Sequence, residues 1–268
     1  MCNNLLQYAH VYAWGREHGR KVISMRFSYK YQYFKICHTS FTGFGWYLLA
    51  KYMAALKLLP TASFKHSDFD RDKLEQKMLK HRHIVVSGWY ARWYDLFLKY
   101  RDEICDLFTL DVRYTEPVRQ KMSKAEKGAI SQHILRLGVH IRRGDYAQWA
   151  DGAYFYDDDV YANYINRFAQ LMEGREVHVY LSTSDPAVNA EQFQEKCSHV
   201  HIHYLQGSAP EDLFMLSECD YIIAPPSTYS LVAAMYRDIP LYRMDTADAT
   251  QMTEKSFKRF AFWFQNIV

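Results

Sequence analysis

Apolar and polar positions change rhythm about halfway along this chain. In the first half, Leu5, Leu6, Ala9, Ala13 and Trp14 recur near helical spacing and Gly19 follows as a stop, which predicts a helix over residues 1–18. Lys21 to Phe27 alternates and is β-branched at its start, the pattern of a strand. A helix is expected from about Trp46 to Leu58, ended by Pro60, and a charged helix from Asp70 to Lys80. His83 to Ser87 reads as a short apolar strand, followed by the loop Ser87-Gly88-Trp89-Tyr90 and an amphipathic helix from Tyr94 to Phe108. The stretch Asp111 to Ser131 is charged and poor in large apolar residues, which marks it as the best linker candidate.

The second half alternates strand and helix. Strands are expected at Leu135–Ile141, Val177–Leu181, Val200–Tyr204 and Tyr221–Ala224, with helices at Asp157–Glu173, Glu191–Cys197, Ala209–Glu218 and Leu231–Tyr236. That pitch is the signature of a parallel α/β unit. Ligands of such sheets bind at the carboxyl ends of the strands. Three polar segments fall on that rim: His140 to Asp145, Ser182 to Asp185 and Pro226 to Ser230.

Composition narrows the picture by exclusion. The chain has 268 residues, 49% of them hydrophobic, enough to bury a sizeable core in one large domain or two modest ones. The net charge of +3 is spread out rather than massed along a stripe, which argues against a nucleic-acid partner. Five cysteines without CxxC spacing suggest buried thiols in a reducing compartment, neither a disulfide framework nor a zinc site. There is no charged-then-apolar leader, so no signal peptide is expected, and Lys51 and Lys57 interrupt the richest apolar run, Phe44 to Leu59. A buried or interfacial helix fits that run better than a membrane span. The aromatic content of 16% suits sugar faces and equally a tyrosine-rich core.

The rim segments carry the candidate chemistry. Arg142 and Arg143, at the end of an apolar strand, offer fixed, always-charged donor forks of the kind a diphosphate takes. Such forks would neutralise the charge that builds on a leaving diphosphate, in place of a metal ion. Asp145 could orient an arginine or take a proton from an acceptor hydroxyl. Ser227, Thr228 and Tyr229 precede a helix whose N-terminus could seat a phosphate, although N-capping alone explains the hydroxyls as well. Two groups have metal-ligand chemistry. Asp157, Asp158 and Asp159 lie where acidic residues favourably meet a helix dipole, and His199, His201 and His203 alternate along a strand and so share a face. No carboxylate or cysteine pattern supports the histidines, and no metal site is expected.

Together these segments resemble the fucosyltransferases that use GDP-fucose, in particular the bacterial α-1,2-fucosyltransferase family, to which the α-1,6 and protein O-fucosyltransferases are related. His140 to Tyr146 matches the family's strand-then-His-x-Arg-Arg-Gly-Asp-Tyr block residue for residue. Asp212-Leu213 through Ser217-Glu218-Cys219 to Ser227-Thr228-Tyr229-Ser230 looks like a second block, and Ser184-Asp185 like a third. Asn3 to Ala9 echoes the family's opening block, and Ser87 to Tyr90 its mid-chain loop. The likeness runs from the first residues to about Met244. Cys2 stands where the family has glycine, and Leu231-Val232 where it has Trp-Trp.

The resemblance implies an α/β fold of the GT-B type, two Rossmann-like domains facing a cleft, the N-terminal one without its first strand. Residues 1–125 would form the acceptor-side domain, with Trp89 and Tyr90 toward the acceptor, and residues 126–268 the GDP-fucose-binding domain. It implies an inverting transferase, of the galactoside 2-alpha-L type, needing no cofactor and no essential metal. Its acceptor would be a glycan or lipid-linked oligosaccharide in surface polysaccharide synthesis, and its place the cytoplasm, with a peripheral seat at the inner membrane face open to it. Arg142 and Asp145 would be catalytic. Asn3, His140, Arg142, Arg143, Asp185, Asp212, Ser227, Thr228 and Tyr229 would hold the donor, with His140 and Asp212 at the nucleoside end. A catalytically weak or inactive nucleotide- or glycan-binding relic of the same fold is the alternative.

Overall fold

The computed structural model describes residues 1–129 and 134–266. The chain divides into two compact units, Met1–Asp111 and Val112–Val268. In the first, helices α1 (Cys2–Glu17), α2 (Phe44–Ala55), α3 (Arg71–Lys80), α4 (Tyr94–Lys99) and α5 (Arg101–Leu107) accompany a small parallel pair, β1 (Thr61–Ser63) and β2 (Val85–Ser87). Its core is aromatic. Trp14, Phe64 and Trp93 pack with Ala62, Met78 and Ala91, and Phe27, Phe34 and Phe108 meet edge to face. The strand expected at Lys21–Phe27 is an irregular segment, because no neighbouring strand pairs with it. Its backbone is satisfied locally instead, Ser24 N donating to Phe41 O and Phe27 N to Ser24 Oγ. The helix expected over Tyr94–Phe108 is two helices, broken at Tyr100. Lys99 Nζ and the Tyr100 hydroxyl at that break both donate to Glu17 at the end of α1.

The second unit opens on α6 (Val112–Ala125), where sequence suggested a linker and placed the domain boundary at 125/126. Most of its residues are charged or polar, yet Thr115, Val118 and Met122 form a buried stripe at helical spacing. Residues 130 and 131 of that linker candidate lie outside the described residues. There follow β3 (Leu135–Ile141), α7 (Asp158–Leu171), β4 (Val177–Thr183), α8 (Ala190–Lys196), β5 (Val200–Tyr204), α9 (Ala209–Ser217), β6 (Tyr221–Ala224), α10 (Thr228–Arg237), β7 (Leu241–Arg243) and α11 (Phe260–Gln265). The α6 helix belongs here because it packs on α9, with the Arg119 guanidinium over the Phe214 ring.

The five strands are all parallel, in the order β5-β4-β3-β6-β7. The chain starts at the central strand, steps outward to β5, then crosses back to β6 and β7. Strand order therefore reverses between β3 and β6, the switch point where open α/β sheets bind their ligands. Alternation along β3 sorts its two faces. Leu137, Val139 and Ile141 enter the core with Tyr161, Ile165 and Phe168 of α7. Gly138 faces α9, where an added Cβ would lie 2.7 Å from Leu216 and 3.2 Å from Cys219, so glycine allows the close approach. His140 shares that face.

Candidate active site at the carboxyl edge of the sheet

The parallel register brings the ends of β3 and β4 level, His140 beside Ser182 and Ile141 beside Thr183. The Ser182 hydroxyl donates to Asp212 Oδ2 of α9 at 3.1 Å, and both residues are buried. Burial pushes the Asp212 carboxyl up to about 7, against which the Ser182 hydrogen bond works downward. His140 is also buried, and burial, then the nearby Arg142 charge, pushes its imidazole down to about 3. It is neutral throughout the physiological range. Its Nδ1 is a buried polar atom with no hydrogen-bond partner among the described residues. A native fold rarely leaves such an atom unpaired without a ligand or water to complete it. The ring of Tyr229 lies 5.0 Å from that of His140, held by its hydroxyl on Ala209 O at 2.7 Å.

The two arginines beyond β3 behave differently. Arg143 is 13% exposed and tied on three nitrogens: Nε to Tyr156 O at 3.3 Å, Nη1 to Asp185 at 3.1 Å and Nη2 to Asp158. Asp185 is itself held below the usual carboxylate range, first by the Ala187 amide and then by Arg143. Arg143 and Asp185, both expected to hold the donor, thus hold each other and brace the loop. Arg142 keeps its guanidinium at the surface of the rim, 35% exposed. Both Asp145 oxygens lie within 2.9 Å of its Nη2, and the Tyr146 ring lies 5.2 Å beneath it. The Arg142 amide donates to the Tyr161 hydroxyl at 3.1 Å. Gly144 follows at φ +66°, a left-handed turn that frees the loop from the strand direction.

Tyr146, which sequence reasoning did not single out, closes the site. Its hydroxyl donates to Pro226 O in the turn after β6 and so links the two sides of the switch point. In that turn Ser227 caps α10, its Oγ accepting from Tyr229 N at 3.2 Å. Ser227, Thr228 and Tyr229 therefore bring the positive end of a ten-residue helix to the rim. Ser182 was also missed, although it is the register partner of His140. The acidic run has structural work throughout: Asp157 caps α7 through Val160 N, Asp158 binds Arg143, and Asp159 binds Lys196 at 2.6 Å.

The remaining predicted residues lie in the first unit. Asn3 sits in the first turn of α1 and not on a glycine loop, because α1 starts at Cys2. Trp89 and Tyr90 are exposed, in the turn after β2. Gly88 makes that turn at φ +107°, pressed against the Phe64 carbonyl where a Cβ would lie 2.1 Å away.

A family model described as glycosyl transferase family 11 matches residues 30–261. The chain belongs to glycosyl transferase family 11. No curated protein matches it. Among solved structures it is similar to a mutant of Arabidopsis thaliana FUT1 in complex with GDP, at 13% identity and a TM-score of 0.59, covering 97% of this chain and 71% of that one. It is also similar to POFUT1 in complex with GDP-fucose, at 11% identity and a TM-score of 0.54, covering 92% of each chain. These matches show the fold, which is α/β and GT-B-like. The family 11 match begins downstream of Asn3 and takes in every other rim residue named above.

Proposed function

We propose that the chain is an inverting fucosyltransferase that moves L-fucose from GDP-fucose to a glycan hydroxyl without an essential metal. The position of Arg142 carries this reading. Its fork stands at the switch point, beside the N-terminus of α10, and is oriented by Asp145 and Tyr146. As the bond to fucose breaks, negative charge accumulates on the leaving diphosphate. A guanidinium and a helix N-terminus are suited to receive it. Family 11 membership and the GDP and GDP-fucose in the similar structures support the choice of donor. The galactoside α-1,2 linkage rests on the sequence resemblance.

The nucleoside end of the donor falls to Asp212, with Ser182 and His140 beside it. Guanine presents adjacent N–H donors, and a buried carboxylate has acceptor capacity for both once ionised. A carboxyl raised from 3.8 to about 7 keeps its proton in the fold where the unfolded chain has lost it. It therefore costs stability as pH rises across that window, while donor binding, which needs the ionised form, strengthens. GDP, UDP and ADP binding to wild type and Asp212→Asn, with transfer from GDP-fucose to a glycan panel, tests both ideas. GDP is expected to bind best, about tenfold more tightly near pH 8 than near pH 6, with that dependence flattened in Asp212→Asn. Equal binding of UDP would overturn the guanine assignment. GDP binding without transfer or hydrolysis would favour the inactive relic.

A peripheral membrane seat is part of the same proposal, and α2 supports it. No residue of α2 is buried, and Phe44, Trp46, Leu49 and Tyr52 all stand exposed. From Arg20 to Ser67 the chain carries eight Lys or Arg and no Asp or Glu. An exposed apolar helix in a wholly basic segment suits an anionic lipid surface. No helix among the described residues is long and apolar enough to cross a membrane. The chain is expected to float with phosphatidylglycerol vesicles, to ignore phosphatidylcholine vesicles, and to lose binding on Trp46→Ser with Leu49→Ser. Self-association through α2 without lipid binding would refute the membrane seat.

A further inference from the structure

We infer that the amino ends of β4 and β5 form a binding site for a first-row divalent transition metal such as Zn²⁺, built from Glu176, His178 and His201. Glu176 and His178 are two residues apart and project from the same side of β4, and the parallel register sets His201 of β5 directly beside His178. Glu176 Oε1 lies 3.4 Å from His178 Nε2 and 3.6 Å from His201 Nε2, and the three ligand atoms all lie within 4.8 Å of one another. A tetrahedral zinc ion with bonds of about 2.0–2.1 Å separates its ligands by about 3.3 Å. Two of the three edges are therefore already near that value, and small side-chain rotations close the third.

A supporting residue is in place. His178 Nδ1 lies 2.9 Å from His203 Nε2. With Nε2 on the metal, Nδ1 carries the proton and donates it to His203, which fixes both tautomer and ring plane as metal-binding histidines require. The nearby Glu126 carboxylate is engaged by Arg136 and Tyr180, so it supplies no fourth ligand. His201, with 58% of its side chain exposed, leaves that position to water and gives the ion a way in. Two imidazoles with one carboxylate select Zn²⁺, Co²⁺ or Ni²⁺ over Mg²⁺ and Ca²⁺.

This site differs from the one sequence suggested. His199, at φ +61°, lies before β5 and outside the cluster, and its place is taken by His178 and Glu176 from the neighbouring strand. It also lies away from the transfer chemistry, since β4 spans roughly 20 Å from Val177 to Thr183. Its role is to clip the edge strand β5 to β4.

The test is Zn²⁺ titration by calorimetry of the full chain after EDTA dialysis, with Co²⁺ absorption as a second readout. One ion per chain is expected, with a rise in melting temperature and no competition by Mg²⁺. His201→Ala should remove the binding. His203→Phe should weaken it about 10–100-fold, and His199→Ala should leave it unchanged. Circular dichroism confirms that each variant folds. Absence of stoichiometric Zn²⁺ binding by the wild type, or binding that survives His201→Ala, would overturn the site and leave the histidines as a hydrogen-bonded stack.

Discussion

Replacing Arg142 by alanine lowers turnover of GDP-fucose about 10³-fold, weakens GDP binding about tenfold, and leaves the melting temperature nearly unchanged. Each part has a separate cause. The turnover loss reflects the charge that develops on the diphosphate only as the bond to fucose breaks, since removing one such donor typically costs 10²–10³-fold and a charged fork costs at least as much. The smaller loss in GDP binding is the ground-state share of the same contact. The melting temperature stays because the partner of Arg142 is Asp145, whose side chain is 67% exposed, and such surface pairs contribute little to stability. Arg142→Lys should restore part of the binding and less of the turnover, because a point charge replaces a planar fork. Steady-state kinetics, GDP calorimetry and a thermal melt on one preparation distinguish these outcomes. Unchanged turnover would sink the assignment.

Arg143→Ala gives the opposite signature: a large stability loss, with activity falling as a consequence. Removing the guanidinium leaves Asp158 and Asp185, 20% and 22% exposed, facing each other without a cation. Breaking a buried pair from one side costs about 3–5 kcal/mol. Some solvent reaches these groups, so the lower end applies, about 3 kcal/mol. For a unit of this size that lowers the melting temperature by about 6–12 °C. The triple replacement Arg143→Met, Asp158→Asn, Asp185→Asn should recover much of the stability, because it removes the uncompensated charges. If Arg143→Ala melted like the wild type but lost GDP binding as Arg142→Ala does, Arg143 would be a second diphosphate contact and the bracing role would be wrong.

The contrast between these neighbours shows where sequence reading reached its limit. Leu135–Ile141 is a buried central strand of a parallel sheet, covered on both faces, so its apolar run has one reading. The same holds for Val200–Tyr204 and Tyr221–Ala224, whose bounds coincide with the expected ones. Lys21–Phe27 alternates just as convincingly but has no strand to pair with, and alternation cannot reveal a missing partner. The α6 helix was taken for a linker because its charged residues outnumber the three that anchor it. Those three matter only because α9 lies beneath them, and α9 is far along the chain.

The order of strands and helices in the second half, the rim on which the polar segments fall, and the family to which the chain belongs were all legible in the amino-acid sequence. Each depends on local pattern: burial period, turn residues, and a seven-residue block carried intact. The structure decided which polar residues face a ligand and which face one another. Arg142 and Arg143 are chemically identical in the sequence, but Asp158 and Asp185 take up one and leave the other on the rim. Ser182 gained its place from parallel register with His140, and Asp212 its raised carboxyl from burial behind β4. Ion pairing, register and desolvation depend on distances between residues remote in sequence, and only the folded chain sets those distances.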